Sequence, residues 1–286
     1  MSKATSELIR LLDLEEIEHN HYRATSPSEG WQRVYGGQVI GQALVAASRT
    51  VPDDRTAHSL HGYFLRPGDT TVPILYKVDR IRDGHSFTTR RVVAIQHGRP
   101  IFNMSISFQV AEDGLSHQFN MPDVPAPESL PDERELRAEW LAEFPEFQSE
   151  GWNRERPIEV RPVDPVNMFR PERREPLQRC WMRCRDPLPD DPRLHQCVLA
   201  YLSDWSLLDT AMLPHAVSFM QPNAQVASLD HAMWFHRPFK ADDWLLYVQD
   251  SPSASGARGF NRGLVYTRDG VLVASAAQEG LIRIRP

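Results

Sequence analysis

Three side chains in the second half of this chain are of the types that can hold and activate a water molecule. Asp204 lies in Ala200-Tyr201-Leu202-Ser203-Asp204-Trp205-Ser206-Leu207-Leu208, an acid set among apolar residues. A carboxylate kept from bulk water can accept a proton as a general base, work that contributes about 10²- to 10⁴-fold. Gln278 is an amide in the small and apolar run Val273 to Gly280, and Ser228 offers a hydroxyl just before Asp230-His231. An amide and a hydroxyl can aim the lone pair of water while the carboxylate takes its proton. Each residue also has a plainer reading: Asp204 as a helix N-cap, Gln278 as a satisfied structural amide, Ser228 as a strand-end turn residue. The corresponding turn in the first half holds Gly36 and Gly37 and no acid. Capping would be equally useful in both halves, so the asymmetry favours chemistry.

Other chemistries lack their residues. There is no G-x-S-x-G elbow, no phosphate loop and no H-E-x-x-H zinc helix. His231 and His236 are five apart, which on one strand turns them to opposite faces, so no metal site is expected. Cys180, Cys184 and Cys197 are an odd set without a CxxC pair. They are expected to be free structural thiols in a reducing compartment.

The elements that must position these groups come from a repeat. Tyr63-Phe64-Leu65-Arg66-Pro67 is answered by Trp234-Phe235-His236-Arg237-Pro238, and Ile74-Leu75-Tyr76 by Leu245-Leu246-Tyr247. The offset is 171 residues both from Arg66 to Arg237 and from Tyr76 to Tyr247, which implies two copies of one fold. After a helical opening at 6–14, the run from Gly36 to Ala47 suits a buried helix. Strands follow at 58–65, 72–81, 87–96 and 101–110. The second copy is expected to place its helix at 205–213, with strands at 229–235, 244–249, 259–267 and 271–283; Leu177 to Cys184 also reads as a strand. One helix and several long strands, twice, is the content of an α+β tandem (double) hot-dog, each unit an antiparallel sheet wrapped around a central helix. The Pro-rich stretch Met121 to Pro131 reads as a linker, followed by a charged helix at 132–144. The expected domains are 1–115, a linker over 116–156, and 157–286.

A net charge of −6 and pI near 6.0 give no basic field for nucleic acid. No leader, membrane span or peroxisomal tripeptide is visible, so the chain is expected to be cytoplasmic.

The segments Tyr35-Gly36-Gly37-Gln38, His58 to Gly68, Asp230 to Pro238, Ser253 to Gly259 and Gln278-Glu279-Gly280 resemble the acyl-CoA thioesterase II family of double hot-dog enzymes, almost end to end. The resemblance implies hydrolysis of medium- to long-chain acyl-CoA to fatty acid and CoA. It places the water-orienting Asp, hydroxyl and Gln on Asp204, Ser228 and Gln278, with Ser228 standing where relatives have Thr. It implies no metal, no cofactor, no covalent intermediate, and a homo-oligomer, dimer or tetramer. Gly36 and Gly37 are candidates to bring backbone N–H groups to the thioester oxygen, and Arg258 or Lys240 to meet CoA phosphates. A hot-dog hydratase would need a His near Asp204, where position 209 holds Asp209; a non-catalytic acyl-CoA binder would not need all three polar groups.

Overall fold

The computed structural model describes residues 1–26, 33–144, 147 and 155–285. In the first half, α1 (Lys3–Leu12) and the short hairpin β1 (Glu15–Glu18) and β2 (His21–Ala24) precede α2 (Gly36–Ser48). Four long strands follow: β3 (Arg55–Phe64), β4 (Ile74–Asp83), β5 (Phe87–Gln96) and β6 (Arg99–Val110). After α3 (Glu133–Glu143), the second half runs β7 (Ile158–Pro162), β8 (Leu177–Cys184), α4 (Pro192–Ser203), β9 (Ala224–Ser228), β10 (Asp230–Phe235), β11 (Leu245–Ser255), β12 (Arg258–Thr267) and β13 (Leu272–Ile284).

All these strands belong to one antiparallel sheet, ordered β1-β2-β4-β5-β6-β3-β10-β13-β12-β11-β8-β7, with β9 paired to β13. The order on one side of the β3/β10 seam mirrors the order on the other, as two related halves require. The seam itself is a ladder, pairing Asp230 with Tyr63, Met233 with Leu60 and Trp234 with Ser59. The tandem hot-dog expected from the repeat is the observed architecture, and the expected strands fall on β3 to β6 and β10 to β13 within a few residues.

Inside the curl lie α2 and α4. Every residue of α2 from Gly37 to Ser48 is buried; most are small or apolar, and the two glutamines are bonded, Gln38 to Ser26 Oγ and Gln42 to Leu11 O and Tyr76. The two helices run antiparallel: Tyr35 at the start of α2 donates its hydroxyl to Tyr201 O near the end of α4, at 3.0 Å. At the other end, Arg193 in α4 reaches the carbonyl of Ser48. Gly41 allows the close crossing, since a Cβ there would stand 3.1 Å from Cys197 O.

The position of the second helix corrects the sequence expectation. The helix over 205–213 is not formed; α4 begins at Pro192, where Asp191 accepts from Arg193 N–H, and Asp204 is its C-terminal cap rather than an N-cap. The chain then turns at Ser206, whose φ is +57°, and Leu208–His215 forms a 3-10 helix containing Pro214. Leucine-rich composition is shared by both segments, but Asp191-Pro192 starts a helix and Pro214 disfavours one. The charged helix is present as α3, with a capping box between Asp132 and Glu135. Met121, Val124 and Leu130 of the preceding segment pack on Trp181, Trp244 and Leu246 at the outer side of the second half.

Candidate active site

Asp204 projects from the end of α4 toward the start of α2 in the other half. Its Oδ2 accepts from the Gly37 backbone N–H at 2.9 Å, and its Oδ1 accepts from Gln278 Nε2 at 2.7 Å. Ser228 Oγ donates to the same Oδ1 at 3.5 Å, a long contact. The three residues singled out by type are therefore gathered at one point, although they come from a helix end, from β9 and from β13.

Local structure explains the convergence. Gln278 lies on β13 with its side chain inward and fully buried, and β13 pairs Gly280 with Ser228 on β9. Between β9 and β10 the ladder breaks at Leu229, whose N–H goes to Glu279 O while its carbonyl takes Phe64 N–H. Gly36 and Gly37 let the helix start come this close. A Cβ on Gly36 would sit 2.7 Å from Asp204 Oδ2, and one on Gly37 would sit 2.2 Å from Tyr201 O.

Gly37 was expected to offer its N–H to a substrate oxygen, and that expectation is corrected: the N–H is taken by Asp204. The helix start binds an anion, as helix starts do, but the anion is the protein's own carboxylate. Asp204 thus caps α2 from across the molecule, a capping role different from the N-cap of its own helix expected from the sequence.

The electrostatics place this carboxylate near neutrality. Burial pushes Asp204 up to about 6, while the hydrogen bonds from Gln278, Gly37 and Ser228 pull it back. Charge-assisted hydrogen bonds are worth roughly 1.5–3 kcal/mol each, and burying a charge costs several kcal/mol. Burial outweighs the three hydrogen bonds, so the proton is held more tightly than by a free carboxylate. Asp209, five residues on, is pushed up to about 7 by burial, by the Asp204 charge and by Glu133. Each charge disfavours the other, so the second proton is lost at higher pH than the first.

Past the turn that follows Asp204 is a cavity of about 100 Å³, which Asp204, Ser228 and Gln278 do not line. Trp205, Ser206 and Asp209 line it together with the apolar Val160, Met168, Met212, Leu213 and Phe219, and with Glu133 and Trp140 of α3. Sequence reasoning met Asp209 only as the residue standing where a hydratase would need a His, and gave it no place in a site. An acid flanked by Leu208 and apolar neighbours was the available signal, the same one that exposed Asp204.

The remaining candidates make other bonds and do not touch Asp204. His231 is buried with Nε2 2.8 Å from Ser203 Oγ, whereas His236 lies at the other face beside Ser275 Oγ, also 2.8 Å away. Arg258 pairs with Glu279 and Lys240 with Asp190. The three cysteines are free and buried. No group of His, Cys, Asp or Glu among the described residues is arranged to hold a metal ion, and no helix among them is long and apolar enough to cross a membrane.

Fold and site together define a double hot-dog thioester hydrolase. Known proteins narrow the class. The family model described as acyl-CoA thioesterase matches residues 147–281, and the acyl-CoA thioesterase N-terminal domain matches 26–109. The chain is 42% identical to acyl-CoA thioesterase 2 of Haemophilus influenzae, covering 99% of each. It is 45% identical to human acyl-coenzyme A thioesterase 8, over 96% of this chain and 88% of that one. The crystal structure of acyl-CoA thioesterase II TesB2 from Mycobacterium marinum superposes with a TM-score of 0.79 at 47% identity, covering 96% of this chain and 98% of that one. The chain belongs to the acyl-CoA thioesterase family, and it is an enzyme that hydrolyses acyl-CoA thioesters.

Proposed function

We propose that Asp204 is the general base of this hydrolysis, with Gln278 and Ser228 orienting the attacking water. Water adds to the thioester carbonyl carbon as its proton passes to Asp204. The tetrahedral intermediate then expels the CoA sulfur, which leaves as the thiol with the proton from Asp204, and the fatty acid is released. The observation that carries this reading is the bonding of Asp204, which receives Gln278 Nε2 at 2.7 Å and Gly37 N–H at 2.9 Å and so has a fixed orientation. Gln278 Oε1 has no hydrogen-bond partner among the described residues, so an acceptor stands beside the base for the second water proton.

The substrate is read as medium- to long-chain acyl-CoA. A cavity of about 100 Å³ with a largely apolar wall lies past Trp205; at about 30 Å³ for a water-sized group it takes roughly three such groups, so a medium- or long-chain acyl group would extend beyond it. The same reading assigns the hot-dog units to 1–115 and 157–286 with a linker at 116–156, a homo-oligomeric state, dimer or tetramer, and a cytoplasmic setting.

The test is release of free CoA from acyl-CoA esters of increasing length by wild type and Asp204→Asn. Loss of about 10³-fold in kcat with KM little changed is expected. Because the ionised carboxylate is the active form, wild-type kcat/KM should climb with pH through an acid limb near 6. Full turnover by Asp204→Asn would remove Asp204 from this role.

A further inference from the structure

We infer that Gln249 and Gln178 are positioning residues for Asp204, holding the turn that aims its carboxylate; the inference rests on the catalytic reading of Asp204 above. The turn needs holding. Two residues after Asp204, Ser206 adopts φ +57°, a left-handed conformation that a residue with a side chain keeps only when its surroundings impose it.

Three carbonyls along this turn are each held by a side chain from β8 or β11. Tyr247 donates its hydroxyl to Ser203 O at 2.8 Å, Gln249 donates Nε2 to Trp205 O at 3.1 Å, and Gln178 donates Nε2 to Ser206 O at 2.7 Å. Gln178 also reaches Thr210 Oγ1 at 2.8 Å, and Ser206 Oγ lies 3.2 Å from Gln249 Oε1. Gln249 and Gln178 stand directly opposite each other in the β11/β8 ladder, so the two amides act as one cradle.

The repeat supplies an internal control. At the constant offset, Tyr247 corresponds to Tyr76 and Gln249 to Val78. Both members of the second pair are buried, Gln249 at 0% exposure and Val78 at 3%. Packing at this place is thus satisfied by valine in the half that has no carboxylate turn. A buried amide costs free energy unless bonded, and in the half with Asp204 its bonds go to that turn. The carboxylate has little room for error, since it must meet Gly37 N–H and Gln278 Nε2 together, and a misplacement of about 1 Å can cost about 10²-fold.

The experiment compares Gln249→Met, Gln178→Met and Asp204→Asn with wild type, following CoA release across pH, with thermal melting of each. Gln249→Met should lower kcat about ten- to a hundredfold with KM within about twofold. Its acid limb should move to higher pH, because a displaced Asp204 loses the N–H donors that favour its charged form. Gln178→Met should shift both readouts the same way and less. Adding Ser206→Gly to Gln249→Met should recover part of kcat, since glycine takes positive φ freely. A lower melting temperature with kcat and the acid limb unmoved would assign the glutamines to stability alone and overturn the inference. Should Gln249→Met fail to fold, Gln178→Met, at a partly exposed position, carries the same test. An active Asp204→Asn would overturn the catalytic reading itself; an inactive Asp204→Asn beside wild-type-like glutamine variants would overturn only the positioning role.

Discussion

The antiparallel helices α2 and α4 create two corners where one helix begins beside the end of the other, and the two are finished differently. Where α4 begins, Asp191 caps its own helix, accepting from Arg193 N–H at 2.9 Å, with Pro192 in the first turn. Arg193 then reaches across to the carbonyls of Ser48, Pro52 and Arg55 in the other half. Where α2 begins, Tyr35 makes no side-chain cap, and the helix start is met by Asp204 from the other half. Both corners satisfy the loose N–H groups of a helix start. One does so with its own residue and an arginine, leaving nothing reactive. The other borrows a carboxylate, buries it until its proton affinity approaches neutrality, and surrounds it with donors that aim it.

The sharpest way to break the second corner is Gly37→Ala. The new Cβ would meet Tyr201 O at 2.2 Å, and backbone cannot swing aside as a flexible side chain can, so the helices must separate and Asp204 must lose its N–H donor. A kcat loss of more than about 10²-fold is expected, measured as CoA release by protein shown to be folded from its circular dichroism. Next in size, the two partners of Asp204 Oδ1 can be ranked. Gln278→Met removes a bond of 2.7 Å and should cost about 10²-fold in kcat, whereas Ser228→Ala removes one of 3.5 Å and should cost about tenfold or less. Equal losses would mean that the part of Ser228 in orienting water outweighs its long contact with the carboxylate. The smallest effect on turnover belongs to the other corner. Arg193→Met should keep kcat within about twofold while lowering unfolding free energy by about 1–3 kcal/mol, read by denaturant melting, because several carbonyls lose their donor. A large fall in kcat there would mean that the corners communicate.

Much of this was legible in the chain. The offset from Tyr76 to Tyr247 carries through β4 and β11, so the two related halves follow from it, whereas the strand order within each does not. Asp204, Ser228 and Gln278 stood out because polar groups in apolar runs must be bonded. The helix of the second half was misread because Leu207 to Leu213 looks as apolar as the residues of α4. The weight should have gone to Asp191-Pro192, a stronger start signal than composition. Gln249 was not legible at all: in the run Leu245 to Asp250 it reads as an ordinary strand residue, and only its contact with Trp205 O reveals a task.

By itself, the sequence determined the repeat, the strands and the inventory of groups able to activate water, because periodicity and composition are local properties that neighbouring residues impose on one another. Tertiary structure alone decided what those groups meet. Asp204 finds Gly37 N–H from 167 positions away and Gln278 from 74. Its proton affinity is set by a partial removal from water that exists only once α2 and α4 have packed inside the shared sheet.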